Sequence, residues 1–441
     1  MIQSIRKKLS GDNPSAETVR GSASNFILRV LGLIAGYAFT LLVSRLFGAS
    51  VLGAHTLSTT VLMLFTVLGR LGMDTHIVKT FSADRMNGRW DRIHEVYSKT
   101  LRISIWVGLA LTAILYFSSG LIATVVFKKP HVEPYLQLIS FAVLPMVLRF
   151  INSECYRGFG MNKEYAYSQN VGYFIYATVI LGALSLVSEN ELLPNIAFVV
   201  SLAVLAISST WMVMRKIKNN SDSPSSEIGY AEWIRTSSPM MMAGSLLLIS
   251  GWINTLILGA YRGEEELGVF AVILKITNFG NFIILSVNGF TTPRFAQLHH
   301  ANDLDGLKKH VRLASKIIFW ASLPVFAFMF ICNDWLLLLF GPAFLMGSQA
   351  MMVSTVGRLI GALTGPTGNL LNMTGHQNAF RNIMIVTTAI NIVLCFILIP
   401  QYGIMGSALA SSLFIVTYNI ACVIYIRIKL GLNSFYLPFI S

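Results

Sequence analysis

The stretch from Val51 to Lys79 is long and apolar enough to cross a lipid bilayer, yet it contains an arginine. About 20 apolar residues suffice for a transmembrane helix at a rise of 1.5 Å per residue. On a single helix, five polar side chains fall within about 100° of one another: His55, Thr59, Thr66, Arg70 and Asp74. Because a charge at mid-membrane costs about 2.5 to 3.5 kcal/mol on insertion scales, this stripe is predicted to face water or a ligand.

Apolar stretches of similar length recur along the whole chain, which is 54% hydrophobic and 12% charged. Soluble domains usually carry about twice that charged fraction. The sequence therefore predicts an all-α polytopic membrane protein. Its twelve transmembrane helices are expected near residues 24–47, 52–78, 102–127, 134–156, 167–188, 193–214, 236–261, 267–292, 315–340, 346–372, 380–400 and 404–427.

The net charge of +13 is distributed unevenly across the predicted membrane. Of the 33 Lys and Arg residues, 24 lie in the N-terminal segment, the loops after the even-numbered spans and the C-terminal segment. Four lie in the opposite loops and five lie within spans. Positive charge accumulates on the cytoplasmic side, so both termini are predicted to be cytoplasmic. This topology accounts for the charge without a nucleic-acid partner.

The sequence contains no pattern typical of a metal site or a nucleotide site. The four cysteines lie in or at the ends of spans without CxxC spacing, and we interpret them as packing residues. HExxH, GxxxxGK[ST] and GxSxG are all missing from the sequence. We therefore expect no cofactor and no enzymatic activity, and a nucleotide-driven pump or a hydrolase is disfavoured.

Five cations within the predicted spans are the candidate ligands for an anionic substrate: Arg29, Arg70, Arg149, Lys275 and Arg358. Asp74 and Glu154 are the two acids in the cytoplasmic halves of these helices. Two acids neutralise at most two of the five cations. Because guanidinium groups match phosphate oxygens in a bidentate manner, a diphosphate is the predicted partner.

Asparagines on three predicted spans are candidates for binding sugar: Asn25, Asn254, Asn278, Asn281 and Asn288. An amide both donates and accepts hydrogen bonds, so it suits sugar hydroxyls. Interhelical hydrogen bonding, worth about 0.6 kcal/mol per contact, is the alternative for each of them. Asp74 and His55 are candidates for proton coupling, since histidine titrates near neutrality.

Three local patterns predict interruptions or surface elements. The basic segment from Ser82 to Arg102 is interleaved with aromatic residues, which is typical of an amphipathic helix on the cytoplasmic surface. Pro145 is expected to loosen the fourth span. The pair Gly365-Pro366 predicts a broken tenth helix beside Arg358, as transporters have at binding sites.

A weak internal repeat appears when the chain is shifted by 215 positions. This shift aligns Leu52-Gly53 with Leu267-Gly268, and Gly160 with Gly375. Six spans align with six, so the repeat is predicted to be parallel and to form two lobes. The predicted segments are a cytoplasmic N-terminal segment 1–23, an N-terminal lobe 24–214, a linker 215–235, a C-terminal lobe 236–427 and a tail 428–441.

Three short motifs carry a family resemblance: Ser44-Arg45-Leu46-Phe47-Gly48, Leu52-Gly53 and Leu68-Gly69-Arg70-Leu71-Gly72. With the span number and the two-lobed repeat, they resemble the polysaccharide-biosynthesis flippases. These are O-antigen type lipid-linked oligosaccharide translocases of the multidrug/oligosaccharidyl-lipid/polysaccharide (MOP) exporter superfamily.

The resemblance implies a V-shaped fold like that of the multidrug (MATE) exporters, in the bacterial cytoplasmic (inner) membrane. It implies that a polyprenyl-diphosphate-linked glycan, carried on undecaprenyl, passes from the cytoplasmic to the outer leaflet. Membrane lipids and other glycan assembly proteins are the implied partners.

Two other functions stay open at this point. A cation-coupled multidrug exporter of the same superfamily needs deep carboxylates, and predicted spans one, seven and eight have none. A membrane glycan polymerase or ligase usually displays a large outer loop, whereas the outer loops here are short. The energy source also stays open between a cation gradient and the membrane potential, which acts with about 2.3 kcal/mol per charge per 100 mV.

Overall fold

The computed structural model describes residues 14–70, 72–220 and 251–436, apart from the side chains of residues 14–26, 74, 75 and 79. Every secondary-structure element in this part is a helix, which confirms the all-α prediction. The first half contains α1 (Pro14–Arg70), α2 (Met73–Met86), α3 (Trp90–Leu121), α4 (Glu133–Ser140), α5 (Val143–Gly158), α6 (Asn162–Ala166), α7 (Gly172–Leu184) and α8 (Leu193–Lys218). The second half contains α9 (251–261), α10 (Glu264–His300), α11 (Leu304–Ile331), α12 (Asn333–Leu338), α13 (Ser348–Leu363), α14 (Thr367–Met373), α15 (Gln377–Tyr402) and α16 (Ile404–Leu430).

The helices form two compact units. The first comprises Met1–Phe47 and Ser58–Leu246, and the second comprises Gly48–Leu57 and Leu247–Ser441. Each unit buries apolar side chains of its own, such as those around Phe81 in the first and those around Phe295 in the second. A separate core in each unit is what independent domains have.

Seven of the described helices are long and apolar enough to cross a membrane, or eight if the bent pair around residue 141 forms one span. This count is lower than the twelve predicted spans, and part of the difference is that α1 enters it once although a break at Gly48 divides it. Gly48 has φ 83° and ψ −177°, values that favour glycine. The arm before Gly48 has 34 described residues and the arm after it has 22, so each exceeds the roughly 20 residues that cross a hydrocarbon core of about 30 Å.

The predicted single helix from Val51 to Lys79 is wrong, because α1 ends at Arg70 and α2 begins at Met73. Between them, Gly72 adopts a left-handed conformation with φ 71°. Because α1 and α2 are separate helices, the single-helix spacing that placed Asp74 on the face of Arg70 does not hold across Gly72. The predicted polar stripe is therefore interrupted between Arg70 and Met73.

The predicted surface helix from Ser82 to Arg102 is also wrong. This segment contains the end of α2, a turn at Gly88, and the first part of α3, which continues through the apolar stretch to Leu121. The buried carboxylate of Asp84 holds the turn, 2.8 Å from Nη2 of Arg89 and 3.6 Å from Nε of Arg92. The basic residues of this turn stabilise a helical hairpin.

Both predicted interruptions are present. The fourth span bends by 45° between α4 and α5, at residues 141–142. These residues lie four and three positions before Pro145, where a proline interrupts the helical hydrogen bonds. The broken tenth span is confirmed, because α13 ends at Leu363, α14 begins at Thr367, and Gly365 between them has φ 74°.

The predicted repeat is visible as a reciprocal contact inside the second unit. A Cβ atom built on Gly53 lies 1.8 Å from the backbone oxygen of Glu264, and one built on Gly268 lies 2.0 Å from the backbone oxygen of Ala49. Ala49 and Glu264 are separated by 215 positions, as are Gly53 and Gly268. Equivalent residues thus exchange equivalent contacts, which is the pattern of a twofold-related pair of helices.

Helix ends repeat with the same offset. Gly160 has φ 69° and Gly375 has φ 79°, and each follows a helix that ends at an equivalent position, Gly158 or Met373. The next helix begins at an equivalent residue in both halves. The weak sequence repeat therefore corresponds to a structural repeat at these points.

Candidate functional site

Arg149 lies on α5, is 2% exposed and contacts protein groups of the first unit. Its Nη1 donates a hydrogen bond of 2.8 Å to the carbonyl of Ser168, and its Nε lies 3.4 Å from Sδ of Met146. Ser168 belongs to a π-helical turn, Tyr167–Val171, a distortion that is frequent at functional sites. These contacts favour a positioning role for Arg149 over direct contact with a ligand.

The ring of Phe150 contacts two guanidinium groups. Cζ of Arg149 lies 4.2 Å from the ring centroid and Cζ of Arg70 lies 4.5 Å from it. The two guanidinium groups are therefore within about 9 Å of each other, the sum of these distances. Arg149 also lies 5.0 Å from the ring of Tyr173. Because aromatic faces attract cations, these rings hold two like charges together in an apolar unit.

The other predicted site residues are spread over both units. Arg29 is half-buried on α1 and Lys275 is half-buried on α10. His55 is buried in the part of α1 that packs with the second unit. The side chains of Asn25 and Asp74 lie outside the described residues.

A cavity of about 280 Å³ lies within the second unit. Its polar lining comes from four helices: Asn281 and Asn288 of α10, Arg358 of α13, Thr367, Asn369 and Asn372 of α14, and Tyr418 and Asn419 of α16. The described lining residues include no acidic side chain. We call this space the amide-lined cavity, and it combines three of the predicted site residues, Asn281, Asn288 and Arg358.

The amide groups of the cavity differ in their hydrogen bonds. Nδ2 of Asn281 donates a bond of 3.1 Å to Oδ1 of Asn278, so these two exposed amides form a pair. Oδ1 of Asn288 is buried and accepts no hydrogen bond from any described residue. A buried acceptor without a partner is rare, and one that lines a cavity is suited to accept a hydrogen bond from a ligand.

The break between α13 and α14 forms one wall of the amide-lined cavity. Oδ1 of Asn419 accepts hydrogen bonds of 3.1 Å from Thr364 and 3.0 Å from Thr367, one on each side of Gly365. The backbone N–H of Tyr436 donates a bond of 2.9 Å to the carbonyl of Leu363, at the end of α13. Carbonyls that a helix break exposes in a membrane must find such donors, so the break is a fixed part of the fold.

Asn254 was predicted to bind sugar, and its contacts support the alternative of interhelical hydrogen bonding. Its Oδ1 accepts a bond of 3.2 Å from Nδ2 of Asn391 on α15, and Sγ of Cys395 lies 2.6 Å from the same oxygen. Its Nδ2 donates to Ser411 on α16. Asn254 is 8% exposed and does not line the amide-lined cavity.

The predicted sites did not include several residues that the structure brings to them. Phe150 has no polar atom, and its position next to Arg149 in the sequence was its one signal. Tyr418 and Asn419 are adjacent polar residues within an apolar helix, a signal that was available. Thr367 follows the Gly365-Pro366 break directly, where a polar side chain is needed to hold the chain.

Comparison with known families supports the assignment of the fold. A model of the polysaccharide biosynthesis protein family matches residues 18–299, more than half of the chain. The chain belongs to this family. A model of the MatE family matches residues 239–397. The resemblance stated from the sequence motifs is therefore confirmed.

Curated proteins are similar to this chain at low sequence identity. The "probable flippase AglR" of Haloferax volcanii is 22% identical over 167 residues, which cover 37% of this chain and 35% of that protein. The chain spans 55% or less of the length of the curated relatives it matches.

Two solved structures match over most of their length. An inward-facing multidrug resistance MATE transporter of the MOP superfamily has a TM-score of 0.75 at 15% identity, over 92% of this chain and 98% of that one. The "Lipid II flippase MurJ" in an inward closed conformation has a TM-score of 0.72 at 16% identity, over 94% of this chain and 90% of that one. The chain is thus a multi-pass membrane protein with the MATE-like fold.

Proposed function

We propose that this protein is a flippase that moves an undecaprenyl-diphosphate-linked oligosaccharide from the cytoplasmic to the outer leaflet by alternating access. The polysaccharide biosynthesis family supports the glycan, and similar proteins that carry the words "flippase" or "lipid II flippase" in their names support the reaction. The location is the bacterial cytoplasmic (inner) membrane, and other glycan assembly proteins are its partners.

The topology that we propose has twelve spans, with both termini in the cytoplasm. The segments are the predicted ones: 1–23, the lobe 24–214, the linker 215–235, the lobe 236–427 and the tail 428–441. The asymmetry of positive charge supports the orientation. The repeated helix ends around Gly160 and Gly375 support two equivalent halves of six spans each.

The observation that carries the proposal is the pair of guanidinium groups on Phe150. Like charges within about 9 Å repel each other in an apolar unit, and a doubly charged diphosphate turns this repulsion into attraction. Arg70 is half-buried and is the residue that we assign to direct contact with phosphate. Arg149, which is 2% exposed, positions Phe150 and thereby Arg70.

Arg29 and Lys275, each half-buried on a predicted span, stay proposed ligands of the diphosphate. Asn281 and Asn288 are the proposed contacts of the sugar, because they line a cavity with Arg358. The coupling residues His55 and Asp74 stay a proposal alongside the membrane potential. Proteoliposomes with an imposed pH, sodium or voltage gradient would identify the driving force as the one whose collapse stops translocation.

The direct test is translocation by purified protein carrying Arg70→Glu. We expect the initial rate of flipping to fall at least tenfold, because an anion at this position repels the diphosphate. A tenfold effect corresponds to about 1.4 kcal/mol, less than one charged hydrogen bond can contribute. Arg70→Lys keeps the charge but not the bidentate fork, so it should retain an intermediate rate.

Arg381→Glu is the matched control, because it makes the same charge change at an exposed arginine of α15. Unfolding temperatures of all variants must agree, so that a rate difference reports on the site. A full rate for Arg70→Glu at matched protein levels would refute the assignment of the diphosphate to this arginine.

A second candidate function is multidrug export, which the MatE match over residues 239–397 favours. Deletion of the gene would support this function if it changes the drug susceptibility of the cells and leaves their surface glycan intact. A deletion that abolishes surface glycan without a change in drug susceptibility would support the flippase.

A further inference from the structure

We propose that the amide-lined cavity binds one acidic monosaccharide of the transported glycan, through its hydroxyl groups and a single carboxylate. The inference rests on the proposed function, because it assumes a glycan passenger. It adds the class of sugar and the residues that distinguish this sugar from others.

Two helices each contribute two amides to the cavity. Asn281 and Asn288 are seven residues apart on α10, and Asn369 and Asn372 are three residues apart on α14, so each pair shares a helix face. A sugar ring presents neighbouring hydroxyls that each donate and accept, as amides do. The buried Oδ1 of Asn288, which accepts no bond from a described residue, suits a hydroxyl donor.

Arg358 supplies the charge selectivity. It is 9% exposed and lines the cavity, and the described lining residues contribute amides, hydroxyls and apolar groups but no carboxylate. A guanidinium group binds a carboxylate with two parallel hydrogen bonds, a geometry that a neutral hydroxyl cannot match. The cavity is therefore better suited to a hexuronate than to a neutral hexose.

The size of the cavity limits the ligand to one sugar unit. Its volume of about 280 Å³ lies just below the range of small-molecule sites, which span about 300 to 1,000 Å³. Phe380 and Tyr418 contribute aromatic surface to the lining, where the apolar face of a pyranose ring can lie. A lipid-linked oligosaccharide can thus place one residue here while the rest of the glycan lies outside.

The test is the binding of soluble probes to the purified full-length protein, measured by saturation-transfer difference NMR. The probes are D-glucuronate, D-glucose and inorganic pyrophosphate. We expect D-glucuronate to bind at least tenfold more tightly than D-glucose, and pyrophosphate not to displace it. Displacement of D-glucuronate by pyrophosphate would overturn the proposal and assign the cavity to the phosphate linker. Equal affinities for D-glucuronate and D-glucose would overturn it as well.

Two variants and two matched controls locate the site. Arg358→Gln should weaken D-glucuronate binding at least tenfold and leave D-glucose binding unchanged, whereas Asn369→Ala should weaken both. Arg381→Gln and Asn378→Ala, at exposed positions of α15, should change neither. If both cavity variants fold with unchanged unfolding temperature and bind both sugars as the parent does, the cavity is not the site.

This experiment separates the inference from the function on which it rests. The binding assay contains no lipid-linked substrate and needs no translocation. If the purified protein flips its substrate but binds neither sugar, the acidic-sugar site alone is overturned. Sugar binding in a protein that shows no flipping would overturn the flippase proposal and leave the site.

Discussion

Substitution of Gly53 by alanine tests the close contact between α1 and α10 in the second unit. The added Cβ would lie 1.8 Å from the backbone oxygen of Glu264, whereas real contacts stay beyond 3.0 Å. The two helices must therefore separate by about 1 Å, enough to lose a quarter to a half of each van der Waals contact. Because backbone atoms cannot rotate away as a side chain does, the clash should cost somewhat more than the usual range of about 1 to 3 kcal/mol.

Alanine also has a higher helix propensity than glycine, by about 1 kcal/mol. The net loss expected for Gly53→Ala is therefore about 2 to 3 kcal/mol. Thermal unfolding of the purified protein should show a fall of about 5 to 10 °C, on the scale of domains of this size.

Gly289→Ala on α10 is the matched control, because a Cβ there meets nothing within 4 Å. It should be neutral or slightly stabilising. Gly268→Ala should cost about as much as Gly53→Ala, and the double variant should cost less than the sum, since one separation relieves both clashes. Equal unfolding temperatures for Gly53→Ala and Gly289→Ala would refute the reasoning.

Three further predictions concern the interior of each unit. Asn152→Leu removes an amide that is fully buried and makes three interhelical hydrogen bonds. The free energy of unfolding, measured by thermal unfolding, should fall by about 2 kcal/mol. An unchanged unfolding temperature would contradict these bonds. Phe150→Leu removes the ring that two guanidinium groups contact and should lower the flipping rate several-fold. Phe117→Leu, which changes an 82% exposed ring, is the control and should leave the rate unchanged. Equal flipping rates for the two variants would argue against a role of the shared ring. Gly365→Ala should destabilise the protein more than Gly375→Ala, because both positions have positive φ but a Cβ meets neighbours only at the first; calorimetry of the two variants compares them directly.

The fold could be predicted from the sequence wherever one strong local signal decided the structure. Apolar length placed the helices, and Gly365-Pro366 marked a real break, because neither residue suits a helix interior. Gly72 also marks a break, but a single glycine is tolerated within membrane helices, so its effect depends on its neighbours. At Pro145 the expected bend occurs at residues 141–142, because a proline removes the hydrogen bond to the carbonyl four residues earlier and its ring clashes with that carbonyl.

The candidate site was harder to predict, because the sequence gives the face of a helix and not the element opposite. Asn281 and Asn254 have the same chemistry, yet one lines a cavity and the other bonds to Asn391 and Ser411. Likewise, Arg149 and Arg358 are both cations within spans. The first donates to the carbonyl of Ser168, which lies in a π-helical turn that the sequence did not predict, whereas the second lines the amide-lined cavity.

The reciprocal contact of Gly53 and Gly268 has a consequence for how such a chain can diverge. If two identical half-length chains made this contact as a dimer, a single codon would encode both of its glycines. Each mutation would then change both sides of the contact at once. In a chain that carries both halves, the two sides of the contact can mutate separately. The unmatched breaks show this freedom, because Gly72 has no counterpart in the continuous α10 and Gly365 has none in the continuous α5.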